Sequence, residues 1–264
     1  MWFRSYFISR PPYSNFNLEE INKAKEKGVK FVICTGRSFH LTSYLLNELN
    51  SANLEKEYTI CNAGSTIYEN KSQKLLYFKG IEFETIKLVF QKGQKFKDIL
   101  IIFNTLDGAF VSNEEMVDKK KWKIFKYTVM KSIEDLKNCP IVKIIFFSKN
   151  NKNLLSIQNE IKNDKNLKEK ISYYMSGTEF FEMNSFGVNK GMALKWLSNY
   201  LNIDIKETIA IGDDFNDISM IKEAGLGCCI KSANDDIKQI SKYVCKKDFN
   251  EGSVKEVIDK FILN

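Results

Sequence analysis

Three short stretches of this sequence carry polar and charged side chains of types and spacing that could bind a cation or an anion. "GDDFND" (212–217) follows the apolar run "TIAI" and brings Asp213, Asp214, Asn216 and Asp217 into close succession. Clustered carboxylates with an amide suit a hard cation such as Mg²⁺, which takes oxygen ligands and commonly bridges to phosphate. "CTGRS" (34–38) follows the apolar run "VKFVIC". There Thr35 offers a hydroxyl, and the backbone around Gly36 can approach an anion at a helix start. "NKGMALKWL" (189–197) puts Lys190 in the first turn of a helix. A cation gains nothing from the helix dipole there, so its charge has something else to balance. Each stretch alone has a plainer reading: a strand-to-helix turn, a surface lysine, a pair of helix N-caps at Asp213 and Asp214. The acidic stretch is not an EF-hand loop, because the twelfth position from Asp213 is Ala224 rather than Glu.

The elements that must position these residues are legible from periodicity. A helix is expected over 18–27, ending at Gly28, then a strand over 29–34, a helix over 38–49 and a strand over 58–61. From about 80 to 185 the character changes. Strand-like runs at 99–103, 141–147 and 180–183 mix with helices near 82–95 and 152–163. Strict alternation then returns: helix 189–201, strand 208–211, helix 216–223, strand 226–230, helix 234–241, strand 243–245, helix 253–261. Strand-helix-strand order at both ends predicts a parallel sheet covered on both faces, and ligands of such sheets sit at the carboxyl ends of the strands. All three stretches fall at such ends. The chain therefore reads as a discontinuous α/β core, residues 1–79 and 186–264, around an α+β insertion at 80–185.

Bulk properties narrow the function class. The chain has 264 residues, 44% hydrophobic and 28% charged, ordinary for a globular protein with a substantial core. The net charge of +7 is spread as lysines along helix surfaces, not gathered into an aromatic-laced stripe, so no nucleic-acid partner is expected. No apolar run is long enough for a membrane span or a signal peptide, so the protein is read as cytoplasmic with no membrane partner. Six cysteines show no CxxC spacing and sit mostly in apolar runs, as buried thiols of a reducing compartment do. The single histidine, His40, excludes mechanisms that need a pair and is read as a helix residue. "KKKWKIFKY" (119–127) is read as a partly buried amphipathic element. The oligomeric state is left open.

The three stretches together resemble the haloacid dehalogenase-like (HAD) superfamily and, within it, the Cof-type (class IIB) sugar-phosphate phosphatases. "VICTGRS" resembles the second motif. "CNAGSTIYEN" (61–70) resembles an Asn-Gly-Ala segment with Ala63 and Gly64 in swapped order. "FFEMNSFGVNKGMALKWLSNYLNI" resembles the third motif, "ETIAIGDDFNDISMIKEAGLG" the fourth, and "SANDDIKQISKYV" the tail that follows. The resemblance implies a Rossmann-like parallel-sheet core with an inserted α+β cap domain at 80–185 that sets substrate specificity. It implies Mg²⁺-dependent hydrolysis of a small phosphorylated metabolite, a sugar phosphate or similar, through an aspartyl-phosphate. Carried over residue by residue, Thr35, Gly36, Arg37 and Asn216 would bind phosphate. Lys190 would balance its charge in catalysis, and Asp213 and Asp217 would serve the metal.

One motif of the family does not occur here. The attacking aspartate and the acid/base aspartate belong to an Asp-x-Asp-Gly-Thr at the end of the first strand. "TLDGAF" (105–110) imitates it only in part and lies in the expected cap. By motif spacing the nucleophile precedes the Thr-Gly-Arg by roughly 34 residues, which from Thr35 lands near Met1, where "MWFRS" stands. The expectation is that this chain as written is truncated or frame-shifted at its start, or inactive. The alternative function is a catalytically dead homologue that binds a phosphometabolite. Residues 2–9 (WFRSYFIS) have strand-like composition, but Arg4 would be buried, and Pro11–Pro12 would end the strand.

Overall fold

A computed structural model describes residues 15–118 and 126–263. The expectations for the first strand and its motif, and for most of "KKKWKIFKY", lie outside the described residues. In chain order the elements are α1 (Asn15–Glu26), β1 (Ile33–Cys34), α2 (Ser43–Glu48), β2 (Tyr58–Cys61), β3 (Thr66–Glu69), β4 (Leu75–Phe78), α3 (Phe83–Gly93), β5 (Leu100–Asn104), β6 (Ala109–Val111), β7 (Tyr127–Val129) and β8 (Lys143–Phe147). These are followed by α4 (Asn151–Lys162), β9 (Ile171–Ser176), β10 (Phe180–Ser185), α5 (Lys190–Tyr200), β11 (Ile209–Gly212), α6 (Ile218–Glu223), β12 (Leu226–Cys229), α7 (Asp235–Ile240), β13 (Tyr243–Val244) and α8 (Ser253–Ile258).

The chain divides into two compact units. The first holds the residues up to Arg37, Leu41–Tyr77 and Asn189–Asn264, and the second holds Ser38–His40 and Phe78–Val188. In the first unit the described strands form two sheets. One has the order β1-β2-β3-β4, with β1 and β2 parallel and β2 and β3 antiparallel. The other is the all-parallel β11-β12-β13. Parallel strands need both faces covered, and α5 and α6 supply cover: Ala193, Leu197 and Met220 share one buried cluster with Cys34, Ile60 and Ala210. Among the described residues β1 and β11 each stand at the end of their sheet. Among the described residues the strand expected over 29–34 is laddered at Ile33–Cys34, against β2.

The second unit is α+β. Its sheet runs β7-β6-β5-β8-β10-β9, antiparallel except for β6 with β7. Its central strand β5 is buried throughout, and alternate side chains enter two different clusters, Leu100 and Ile102 joining Val111 on one face. Ile101, Phe103, Ile144, Phe146, Phe181 and Met183 pack in one cluster with Ile86 and Val89 of α3 and Leu154, Ile157 and Ile161 of α4. "TLDGAF" is the β5–β6 turn, closed by the Thr105 N–H on the Gly108 carbonyl at 2.8 Å. Among the described residues no helix is long and apolar enough to cross a membrane. All six cysteines are free thiols.

Candidate functional site

The acidic stretch turns a corner at the end of β11. A 3-10 turn, Phe215–Asp217, leads directly into α6. Asp214 caps it, its Oδ1 accepting from the Phe215 N–H at 2.8 Å. Asp217 folds back inside, where its Oδ2 accepts from the N–H groups of Asp213 (3.0 Å) and Asp214 (3.2 Å). This close return depends on Gly212: a Cβ there would stand 2.5 Å from the Cβ of Asp217.

Lys190 reaches the same corner from α5. Asn189 caps that helix by accepting from the Met192 N–H at 2.8 Å. The Lys190 ammonium, although it starts a helix, is buried, and it donates to Asp217 Oδ1 at 2.6 Å and to Asn216 Oδ1 at 3.1 Å. Burial opposes its charge, but the Asp217 carboxylate, Cys34 and Asp213 outweigh burial and hold the lysine above its ordinary range. Burial alone would raise the Asp217 carboxyl; Lys190 and the two N–H groups reverse this and lower it. Both members of the pair are therefore charged at neutral pH.

Thr35 directly follows β1, and it is buried. Its N–H donates to the Ile60 carbonyl at 2.9 Å, and its Oγ1 accepts from the Arg37 N–H at 3.2 Å, leaving the hydroxyl proton to donate elsewhere. Cys34 just before it ties this segment to the lysine: burial pushes the thiol up to about 11 while the field of Lys190 pulls against that. The Arg37 guanidinium donates to the Tyr44 hydroxyl and lies over its ring.

The "CNAG" turn closes the arrangement. The Asn62 N–H donates to the Arg37 carbonyl (2.8 Å) and the Ala63 N–H to the Thr35 carbonyl (3.0 Å). Asn62, Ala63 and Gly64 all have positive φ, at 51°, 56° and 104°. A Cβ on Gly64 would lie 2.3 Å from the Asn189 carbonyl oxygen, so only glycine lets this turn meet the start of α5.

Of the residues expected from sequence, the structure gathers Lys190, Asn216, Asp217 and Asp213 at one corner, with the Cys34–Thr35 strand end in the field of the lysine. Arg37 is engaged with Tyr44, a partner no motif announces. The reading of Asp217 as a metal residue missed its partners. Both of its oxygens are taken, by Lys190 on one side and by backbone N–H groups on the other. Among the described residues no group of three or more His, Cys, Asp or Glu is arranged to hold a metal ion. His40 lies in a 3-10 turn, Phe39–Thr42, where burial lowers its imidazole.

Comparison with known proteins follows the same pattern. The sequence profile of the haloacid dehalogenase-like hydrolases matches residues 9–258. A phosphoglycolate phosphatase of Methanobrevibacter smithii is 42% identical over 95 residues, 36% of this chain and 40% of that protein. The 5-amino-6-(5-phospho-D-ribitylamino)uracil phosphatase YcsE of Bacillus subtilis is 26% identical over 248 residues, 92% of this chain and 87% of that one. In fold, the chain is similar to the crystal structure of a haloacid dehalogenase-like hydrolase from Bacteroides thetaiotaomicron. The TM-score is 0.81 at 22% identity, covering 94% of this chain and 92% of the other.

Proposed function

Because the chain belongs to the haloacid dehalogenase-like hydrolases, we propose that the corner around Lys190 grips the phosphoryl group of a small phosphorylated metabolite, a sugar phosphate or a compound of similar size. The observation that carries this reading is the buried ammonium of Lys190, joined to Asn216 and Asp217 and felt by the strand end that carries Thr35. A buried cation at a helix start, on loops at the ends of two strands, is an anion site in waiting. Thr35 donates its hydroxyl, the Gly36 backbone lies against the phosphoryl oxygens, and Lys190 balances their charge. Asp217 holds Lys190 in place. Arg37 and Asn216 complete the phosphate shell.

Magnesium fits this donor set in one form only. Mg²⁺ is commonly held by one or two carboxylates plus substrate phosphate and water, and Asp213, half-buried at the end of β11, is the carboxylate for it. Asp217, with both oxygens engaged, positions rather than ligates. When bound, Mg²⁺ would neutralise charge on the phosphoryl oxygens. Residues 80–185, read as the cap, would set which metabolite enters. The free, mostly buried cysteines support a reducing, cytoplasmic setting.

Hydrolysis through an aspartyl-phosphate needs an attacking aspartate, and these 264 residues contain no Asp-x-Asp-Gly-Thr. The chain as written is therefore a holder of phosphoryl esters with negligible turnover. Purified protein with p-nitrophenyl phosphate and Mg²⁺ should release phosphate at the background rate. Titration calorimetry with inorganic phosphate should show binding that requires Mg²⁺ and is lost in Asp213→Asn. Robust turnover that Asp213→Asn abolishes would refute inactivity. Phosphate binding indifferent to Asp213→Asn and to Thr35→Val would refute the site.

A further inference from the structure

The side chain of Lys190 is anchored at its tip and at its root, and both anchors come from one short stretch of chain. The tip is held by Asp217, the residue immediately before α6. The root is held through the next peptide unit: the Gly191 N–H donates to the Ser219 Oγ at 3.0 Å, across 28 positions of sequence. A helix start leaves its first N–H groups without intrahelical acceptors. In α5 the Asn189 side chain takes the Met192 N–H, and Ser219 takes that of Gly191. A serine hydroxyl often bonds to the backbone of its own segment; here the oxygen accepts from another helix. The approach is close. A Cβ at Gly191 would lie 2.4 Å from the Ser219 carbonyl oxygen and 3.1 Å from the Ser219 Cβ. Backbone therefore rests on backbone at the residue after the lysine. On its other side the start of α5 meets Gly64 of the "CNAG" turn. Packing from two sides fixes how far away α5 stands. The hydrogen bond to Ser219 is directional, so it also fixes how α5 is turned about its axis.

We infer that Ser219 is a positioning residue of the phosphoryl site. Its hydroxyl fixes the start of α5 so that the Lys190 ammonium stands at one point. The inference rests on the reading of that ammonium as the phosphoryl grip. Ser219 itself acts only through Gly191. The reason is the length of the lysine stem, a flexible chain of four carbons. Asn216 and Asp217 order its tip, and both belong to the corner that leads into α6. The tip is thus referenced to α6, while the root belongs to α5. Only a bond between the two helix starts makes both ends share one frame, and Ser219 supplies it. Without it the root turns with α5 while the tip stays with the corner, and the ammonium tilts away from the place where it faces a ligand. A misplacement of about 1 Å at such a group costs up to about a hundredfold. Packing at Gly64 and Gly191 limits the turn, so a smaller loss is expected here.

Ser219→Ala tests this, with Ser198→Ala as its companion. Ser198 is buried in α5, and its hydroxyl donates to the Lys195 carbonyl of the same helix at 3.0 Å. Its removal takes a hydroxyl from α5 without breaking the bond to α6. Two quantities are measured on the full chain. One is the affinity for inorganic phosphate in the presence of Mg²⁺, by titration calorimetry. The other is the ε-methylene NMR signal of Lys190 in phosphate-free protein carrying ¹³C-lysine, assigned by its absence in Lys190→Arg. Ser219→Ala should weaken phosphate binding about tenfold and move the Lys190 signal towards that of a solvated lysine. Ser198→Ala should keep the affinity within about twofold of the parent and leave the signal in place. Binding by Ser219→Ala within about twofold of the parent overturns the inference. So does a Lys190 signal that Ser219→Ala does not move. An equal loss in Ser198→Ala assigns the effect to general loosening of α5 and also overturns it. If the unaltered chain binds no phosphate, what fails is the reading of the corner. The Lys190 signal then decides by itself whether Ser219 positions the lysine.

Discussion

Two buried lysine–carboxylate pairs, one in each unit, are alike in length and differ in surroundings. Lys190 and Asp217 meet at 2.6 Å with side chains 7% and 6% exposed; Lys143 and Glu182 meet at 2.7 Å with side chains 3% and 8% exposed. Lys143 and Glu182 sit on neighbouring strands of a regular sheet, where the Tyr174 hydroxyl donates to Glu182 at 2.8 Å. Side chains satisfy that pair. The other is built from a helix start and a strand-end corner, and its carboxylate also collects two backbone N–H groups. A pair enclosed by strands holds strands together. A pair on loops at strand ends holds a corner in shape and leaves a cation beside the space a ligand would enter.

Removing one partner separates the two most strongly. Lys190→Met and Lys143→Met each leave a buried carboxylate without its cation, and each should cost about 3–5 kcal/mol in urea unfolding. Only Lys190→Met should also abolish phosphate binding by the fraction that remains folded. If both variants bind phosphate equally, the distinction between the pairs fails.

Apolar replacement of both partners sharpens it. Lys143→Met with Glu182→Leu should return to within about 2 kcal/mol of the parent, since a buried pair is often no better than well-packed apolar groups. Lys190→Met with Asp217→Leu should not recover. The N–H groups of Asp213 and Asp214 lose their acceptor, at about 1–3 kcal/mol for each one left buried. Gly64→Ala probes the same corner through its backbone. A left-handed non-glycine residue costs about 1–2 kcal/mol, and the new Cβ must push away the Asn189 carbonyl that starts α5. Phosphate binding should weaken with stability, whereas a backbone change in the other unit should move stability alone.

Acid gives a smaller effect. Burial opposes the charge of Glu182, but Lys143, Tyr174 and Ser176 overcome it and hold the carboxyl below the usual carboxylate range. A carboxyl lowered on folding contributes stability that is present above its unfolded value and is lost as pH falls through the folded one. Stability should therefore decline as pH drops below about 4.5, and part of that slope should be missing in Glu182→Gln. An unchanged slope would show that the pair does not titrate as a unit with folding.

The sequence made the alternating elements legible because both faces of a parallel sheet are covered, which leaves short unbroken apolar runs between helical periods. "YTIC" appears as β2 at the expected residues. β1 was harder. "VKFVIC" has strand composition throughout, but how much of it is laddered depends on the strands beside it, and periodicity says nothing of neighbours. At the site, Lys190 was legible as a cation in an unfavourable place. Its partner was not, because a lysine and an aspartate 27 positions apart share no local pattern. The pair in the other unit did leave a trace. "IVKIIFF" and "FFEM" each carry one charge inside an apolar run, of opposite sign, and two such charges predict each other when their strands are neighbours.

The smallest effect concerns the swapped Ala63 and Gly64, where the corner around Lys190 stores backbone strain that the regular strands β8 and β10 do not. Ala63 sits at φ 56° with 3% exposure. Ala63→Gly releases the left-handed penalty of about 1–2 kcal/mol. It gives up a buried methyl worth about 0.8 kcal/mol and frees the unfolded chain by about 0.4–1 kcal/mol. These terms nearly cancel, so the midpoint in urea should barely move. The amides of Asn62 and Ala63 should exchange faster, because glycine widens the choices open to the turn. A clear gain in stability would mean that the alanine methyl packs against little and that strain dominates. A clear loss, with Lys190 binding phosphate less tightly, would mean that the methyl braces the turn against the strand end carrying Thr35.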